Sequence, residues 1–133
     1  TQDGHGTNTF SVIGGYKEGQ LIGTAFNADF YLAKTEVNGS ETRIEEDYWV
    51  AGLEWAEELG ADVVSSSLGY LDWYDYSDMD GNTAVTTNGV DIAASRNILV
   101  CTAQGNEGNG SWYYMIAPAD ADSCVAVGAV NIT

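Results

Sequence analysis

The apolar residues of this chain follow two spacings. Trp49, Leu53 and Ala56 recur at i, i+4 and i+7, and Tyr48, Trp55 and Leu59 widen the same stripe, which predicts an amphipathic helix over residues 43–59. Its flanks agree. Thr42-x-x-Glu45 has the spacing of a capping box, Glu45, Glu46 and Asp47 suit the positive end of the helix dipole, and Gly60 suits a terminator. Elsewhere the apolar residues form short unbroken runs. Residues 28–34, 62–68, 98–103 and 124–130 read as strands, the second closing at Gly69 and the third at Gly105-Asn106. A second helix is expected over residues 84–96. The glycine-punctuated opening, Thr1-Gln2-Asp3-Gly4-His5-Gly6-Thr7, reads as a loop feeding a helix that ends at Gly14-Gly15. Residues 70–82 form a polar, aromatic insertion.

Strands that alternate with helices, and that are apolar throughout, imply an α/β fold: a parallel sheet of about four main strands with helices on both faces. Ligands in such folds collect beyond the carboxyl ends of the strands. Those ends carry Ser67-Leu68-Gly69 and Gln104-Gly105-Asn106-Glu107-Gly108. One edge of the sheet is thereby marked as a candidate site.

Composition narrows the partners. The chain has 133 residues, the size of one domain, with four Lys plus Arg against 20 Asp plus Glu and a formal charge of −16. Such a surface excludes phosphate-backbone binding, so no nucleic-acid partner is expected. No apolar run approaches the ~20 residues of a membrane span. At 44% hydrophobic and 11% aromatic, the chain is too apolar for a disordered acidic tail. The scarcity of basic residues points to a secreted, periplasmic or cell-surface setting. Cys101 and Cys124 both lie in apolar runs and read as buried free thiols, with no basic neighbour to activate them.

Two residues stand out as chemistry. His5 is the only histidine, and the glycines on either side of it let a ligand approach the backbone. A lone histidine is by default a surface or core residue, so the glycines carry the argument. Asn106 follows a buried strand. It reads either as a turn residue or as an amide aimed into the site as an oxyanion donor.

Six segments in order resemble the subtilisin-like serine proteases: Asp3-Gly-His5-Gly-Thr7, Gly23-Thr-Ala-Phe-Asn-Ala28, Asp62-Val-Val-Ser-Ser-Ser-Leu68-Gly69, Ala103-Gln-Gly-Asn106-Glu-Gly108, Ala117-Pro118-Ala-Asp and Val125-Ala-Val-Gly-Ala-Val130. The insertion at 70–82 and the Glu45-Glu-Asp-Tyr-Trp49 helix start resemble subtilases of Bacteroidetes-type bacteria. The resemblance implies that His5 is the catalytic general base and that the Asn106 side chain stabilises the oxyanion. It implies that Ser67, Leu68 and Gly69 pair with substrate backbone and wall the first specificity pocket, with Gln104 and Gly105 as its other wall. Asn8 stands where subtilisins commonly have a second histidine. Tyr70 stands where they often have a second glycine, and is expected to crowd the cleft. Gln104 replaces a small residue.

Subtilisins order their triad Asp, His, Ser. By that order the Asp strand belongs before residue 1 and the nucleophile after residue 133. The resemblance thus makes residues 1–133 a partial catalytic domain, the central piece of a protein- or peptide-cleaving endopeptidase, inactive alone. Asp3, two residues from His5, is a poor orienting carboxylate. In the family the Asp strand lies between the strands matching residues 28–34 and 62–68. Those two are expected either to close up directly or to have the slot filled by another segment or chain, which includes self-association. The chemistry requires no cofactor. Structural calcium is compatible with the family, but Asp78-Met79-Asp80-Gly81-Asn82 lacks the acidic residue that completes a calcium loop and reads as an acidic exposed turn. The competing reading is a non-catalytic subtilase-like domain that holds peptide or calcium and cuts nothing.

Overall fold

A computed structural model describes residues 3–130 of the chain. The first helix, α1, spans Asp3–Gly14, so the glycine-punctuated opening is helical from Asp3 onward and not a loop. It is followed by a small hairpin of β1 (Tyr16–Lys17) and β2 (Leu21–Ile22), antiparallel with Tyr16 opposite Ile22. Helix α2 spans Ile44–Glu58 and helix α3 spans Val85–Ser95. Three strands, β3 (Val63–Ser66), β4 (Leu99–Ala103) and β5 (Cys124–Val127), form a parallel sheet in the order β3-β4-β5. The register pairs Val63 with Leu99, Ser66 with Thr102 and Val100 with Cys124.

The start of α2 is half of the expected capping box. Glu45 reaches back to accept the Thr42 backbone N–H at 3.0 Å, but no side-chain cap answers it, and the cap position falls on Arg43 in helical conformation. The helix ends as expected, with Gly60 in the left-handed region at φ 78°.

The core lies between the sheet and helices α2 and α3. Trp49 and Leu53 of α2, Val90 and Ala93 of α3, and Val100 of β4 are buried together with Tyr70 and Ile98. The Trp49 indole donates to Ser66 Oγ at 3.0 Å, which satisfies both polar atoms and fixes α2 against β3. Arg96 pairs with Glu57 at 2.8 Å between the ends of α2 and α3, the Arg96 side chain exposed and Glu57 half-buried. This face of the sheet is covered. On the other, Val63, Leu99, Val125 and Val127 are exposed, so among the described residues the covering helices lie on one side.

The sheet has three strands where about four were expected. Residues 28–34 have strand-like composition but form no ladder, and they do not close up on β3. A single strand without a partner leaves its backbone groups unpaired, and β-propensity alone does not offset that. The segment is held by its side chains instead. Phe30 packs edge-on against Phe10 of α1 with centroids 4.9 Å apart, and Tyr31 packs against Trp55 of α2 at 6.0 Å. Cys101 and Cys124 are both free thiols, half-buried rather than fully buried.

Candidate active site

The cleft lies where parallel topology places it, beyond the carboxyl ends of β3 and β4. It encloses about 510 Å³ and is lined by His5 and Thr9 of α1, by Ser67, Leu68, Gly69 and Tyr70 after β3, and by Ala103, Gly105 and Asn106 at the end of β4. His5 is exposed on the first turn of α1, which delivers its ring to the cleft. Asn106 is exposed on the far wall. It heads the short 3-10 turn Glu107–Asn109 but makes no capping bond with its side chain, which leaves the amide uncommitted at the cap. The Asp3 side chain falls outside the described part of the molecule.

Of the expected site residues, Gln104 is the one not brought to the cleft. Neighbouring residues of an extended strand face opposite ways. Ala103 therefore faces the cleft and Gln104 faces away, its Oε1 2.7 Å from where a Cβ on Gly128 would lie; Gly105, turned at φ 97°, also lines the cleft. Ala103 takes its place in the wall, and the period-two alternation was the signal that could have found it.

The wall after β3 is held by carboxylates. Tyr70 is buried, and its hydroxyl donates to Glu36 Oε1 at 2.6 Å. It does not crowd the cleft with a mobile ring; it forms a fixed side of it. Burial, and then the bond to Glu36, push the Tyr70 phenol far above its ordinary pKa, so it stays a donor. Glu45, fully buried, accepts from the Val37 N–H at 3.2 Å, the Ser40 hydroxyl at 3.1 Å and the Thr42 N–H at 3.0 Å. The Thr42 bond, with those from Val37 and Ser40, holds its carboxyl below the usual range despite the burial. Glu41 is pushed the other way, by burial and then by the negative charges of Glu36, Glu45 and Asp72.

The insertion at 70–82 is pinned by Glu46. That buried carboxylate accepts from Trp73 Nε1 at 2.8 Å, from the Tyr74 hydroxyl at 2.7 Å, and from the Thr86 hydroxyl and N–H at 3.1 and 3.3 Å. Burial and the bond to Glu46 push the Tyr74 phenol up to about 12. Sequence reasoning read Glu46 only as a dipole partner, and Glu45 as that and as half of a capping box. The neighbouring aromatics that donate to Glu46 were the missed signal.

Two acidic groupings bear on calcium. Glu36, Glu41 and Glu45 bring one oxygen each within 4.8 Å of one another. Both oxygens of Glu45 already serve backbone and hydroxyl donors, and Glu36 holds Tyr70, so this arrangement fits a hydrogen-bonded wall rather than a calcium cage of 6–8 oxygens. In the 78–82 segment, Asp80 accepts from the Asn82 and Thr83 N–H groups at 2.8 and 2.9 Å and from the Thr83 hydroxyl at 3.1 Å. The Asn82 N–H, foremost, holds the Asp80 carboxyl below its usual range. This is an acidic turn closed on itself.

His5, on the first turn of α1, and Asn106, past the end of β4, thus line one strand-end cleft. The sequence model of the subtilase family matches residues 1–132. Subtilisin DY of Bacillus licheniformis is 35% identical over 132 residues, 97% of this chain and 44% of that protein. Subtilisin E of Bacillus subtilis (strain 168) is 37% identical over 134 residues, 98% of this chain and 32% of that protein. Subtilisin Savinase of Lederbergia lenta is 34% identical over 137 residues, 98% of this chain and 45% of that protein. The chain belongs to the subtilase family. It spans less than half the length of these relatives.

Proposed function

We propose that this chain is the central section of a subtilisin-like serine endopeptidase. His5 acts as general base toward a serine hydroxyl and then protonates the leaving amine. The Asn106 amide donates to the oxyanion of the tetrahedral intermediate, the role whose removal from subtilisin itself costs about 10²–10³ in turnover. Ser67, Leu68 and Gly69 pair with substrate backbone, and Gly105 walls the first specificity pocket. The observation that carries this reading is that His5 and Asn106, far apart in sequence, line one cleft together with Ser67, Leu68 and Gly69.

The orienting aspartate and the nucleophilic serine come, in this reading, from segments flanking residues 1–133, and the chain alone is inactive. A fluorophosphonate probe tests this. The purified chain stays unlabelled. The longer protein, with an Asp-bearing segment upstream and a Gly-Thr-Ser segment downstream, is labelled and loses turnover in His5→Ala. Labelling of the chain alone overturns the fragment reading. A longer protein lacking both segments supports the non-catalytic alternative.

The setting we infer is secreted, periplasmic or cell-surface. The four basic residues against 20 acidic ones support it, and among the described residues no helix is long and apolar enough to cross a membrane. The outer edge of β3, unpaired in the sheet order, is where a further strand or a second copy of the chain would add.

A further inference from the structure

The first specificity pocket belongs between the Leu68-Gly69 wall and the Gly105 wall, and in this molecule something already stands there. A Cβ built on Gly69 would lie 2.5 Å from Ile116 Cδ1 and 2.7 Å from its Cγ1. A Cβ built on Gly105 would lie 2.8 and 2.9 Å from the same two atoms. The ethyl arm of Ile116 therefore passes between the two glycines and touches both. Carbon atoms in ordinary contact sit about 3.5–4.0 Å apart, so a slot filled this way has no width left for a second large group.

The arm is also fixed from below. The Ile116 N–H donates to the Gln104 carbonyl at 3.3 Å, and Ala117 and Tyr70 exchange backbone hydrogen bonds at 2.8 and 3.2 Å. Those bonds join the segment carrying Ile116 to both walls, so it forms the pocket floor. Ile116 is 9% exposed and lines the cleft, which puts its surviving surface toward whatever enters.

We propose that Ile116 is a specificity-determining residue that fills the first pocket and restricts the residue before the scissile bond to glycine, alanine or serine. The proposal rests on the protease reading for its biological meaning, but the pocket's size does not. A small side chain ends at the Ile116 methyl; a phenylalanine or leucine must displace it, against a backbone held on both sides.

Two measurements test it. In the first, this chain with ¹³C-methyl isoleucine is titrated with two tetrapeptides that differ only in a C-terminal Ala or Phe, read at the Ile116 methyl resonances and by calorimetry. The Ala peptide is expected to bind at least about tenfold more tightly, and Ile116→Gly to reverse the order by a similar factor. Ile116→Ala and Ile116→Val serve as milder steps, with a graded shift in the same direction. In the second, the longer protein is assayed for kcat/KM on substrates with Ala or Phe before the scissile bond. Equal or tighter binding of the Phe peptide, an order unchanged across the Ile116 variants, or binding of neither peptide overturns the proposal. Cleavage with no preference for small residues overturns it too and leaves the protease reading standing. A longer protein that cleaves neither substrate, while the binding order holds, overturns the protease reading and leaves the pocket assignment standing.

Discussion

The Trp73 indole donates to the buried carboxylate of Glu46 at 2.8 Å, tying the insertion after β3 to the first turn of α2. Four donors converge on its oxygens: one indole, one phenol, one hydroxyl and one backbone N–H. Replacing Glu46 by Gln turns one acceptor oxygen into a donor that faces donors. The expected loss is about 2–4 kcal/mol of stability, measured as a lower urea midpoint with unchanged slope. Trp73→Phe, which removes one bond and keeps the carboxylate's other partners, is expected to cost about 1–2 kcal/mol.

Glu45 makes the fold sensitive to acid. Its carboxyl is held below the ordinary range by the Thr42 N–H, with the Val37 N–H and the Ser40 hydroxyl. A depressed carboxylate stabilises the fold above its unfolded pKa, about 4.3 for Glu, and the contribution is lost as pH falls through the lower folded value. Glu45→Gln should therefore be less stable at pH 7 and should lose less on acidification. Urea midpoints at stepped pH from about 6 to 2 are expected to converge for the two proteins.

The contact of Ile116 with Gly69 predicts a non-additive pair. A methyl at residue 69 meets Ile116 at 2.5 Å and the Ala117 carbonyl at 3.0 Å, so Gly69→Ala should cost about 1–3 kcal/mol. In an Ile116→Ala background the side-chain clash is gone and only the carbonyl contact remains. The cost of Gly69→Ala there should fall by at least about 1 kcal/mol, a coupling read from a double-mutant cycle of urea unfolding.

Burial, and then the nearby charges of Asp91 and Asp120, push the Cys124 thiol above its ordinary pKa. Its hydrogen also points at backbone, with the Ala121 carbonyl 3.4 Å from Sγ. Iodoacetamide at pH 8 should label Cys124 at least about tenfold more slowly than a cysteine in a short peptide, the two rates converging in urea. Site-resolved mass spectrometry reads the outcome.

How much of this was legible in the sequence depended on whether the cause was local. The α2 boundaries were, because the apolar stripe and the acidic first turn lie within the helix and Gly60 just beyond it. The three paired strands and the strand-end position of the cleft were legible from the alternation of runs and helices. Residues 28–34 misled, because Phe30, Tyr31 and Leu32 have strand composition and pairing depends on a neighbour that composition cannot show. Gln104 was placed on the wall by adjacency, when alternation puts Ala103 there and turns Gln104 away. Ile116 gave no signal at all: an isoleucine before Ala117-Pro118 looks like any core residue until two glycines from distant segments close around it.

The bare face of the sheet and the acidity of the chain make opposite demands. Val63 beside Leu99, and Val125 and Val127 on the next strand, offer adhesive surface to a second copy. A net charge of −16 drives copies apart. At physiological ionic strength repulsion reaches about 8 Å, and at 1 M salt only about 3 Å. Colloidal behaviour should then hinge on salt. Light scattering should report separate chains in dilute buffer and clusters in molar sodium chloride, with Leu99→Lys delaying the change. On this view the carboxylates act as spacers: they keep an exposed apolar surface from meeting its own kind.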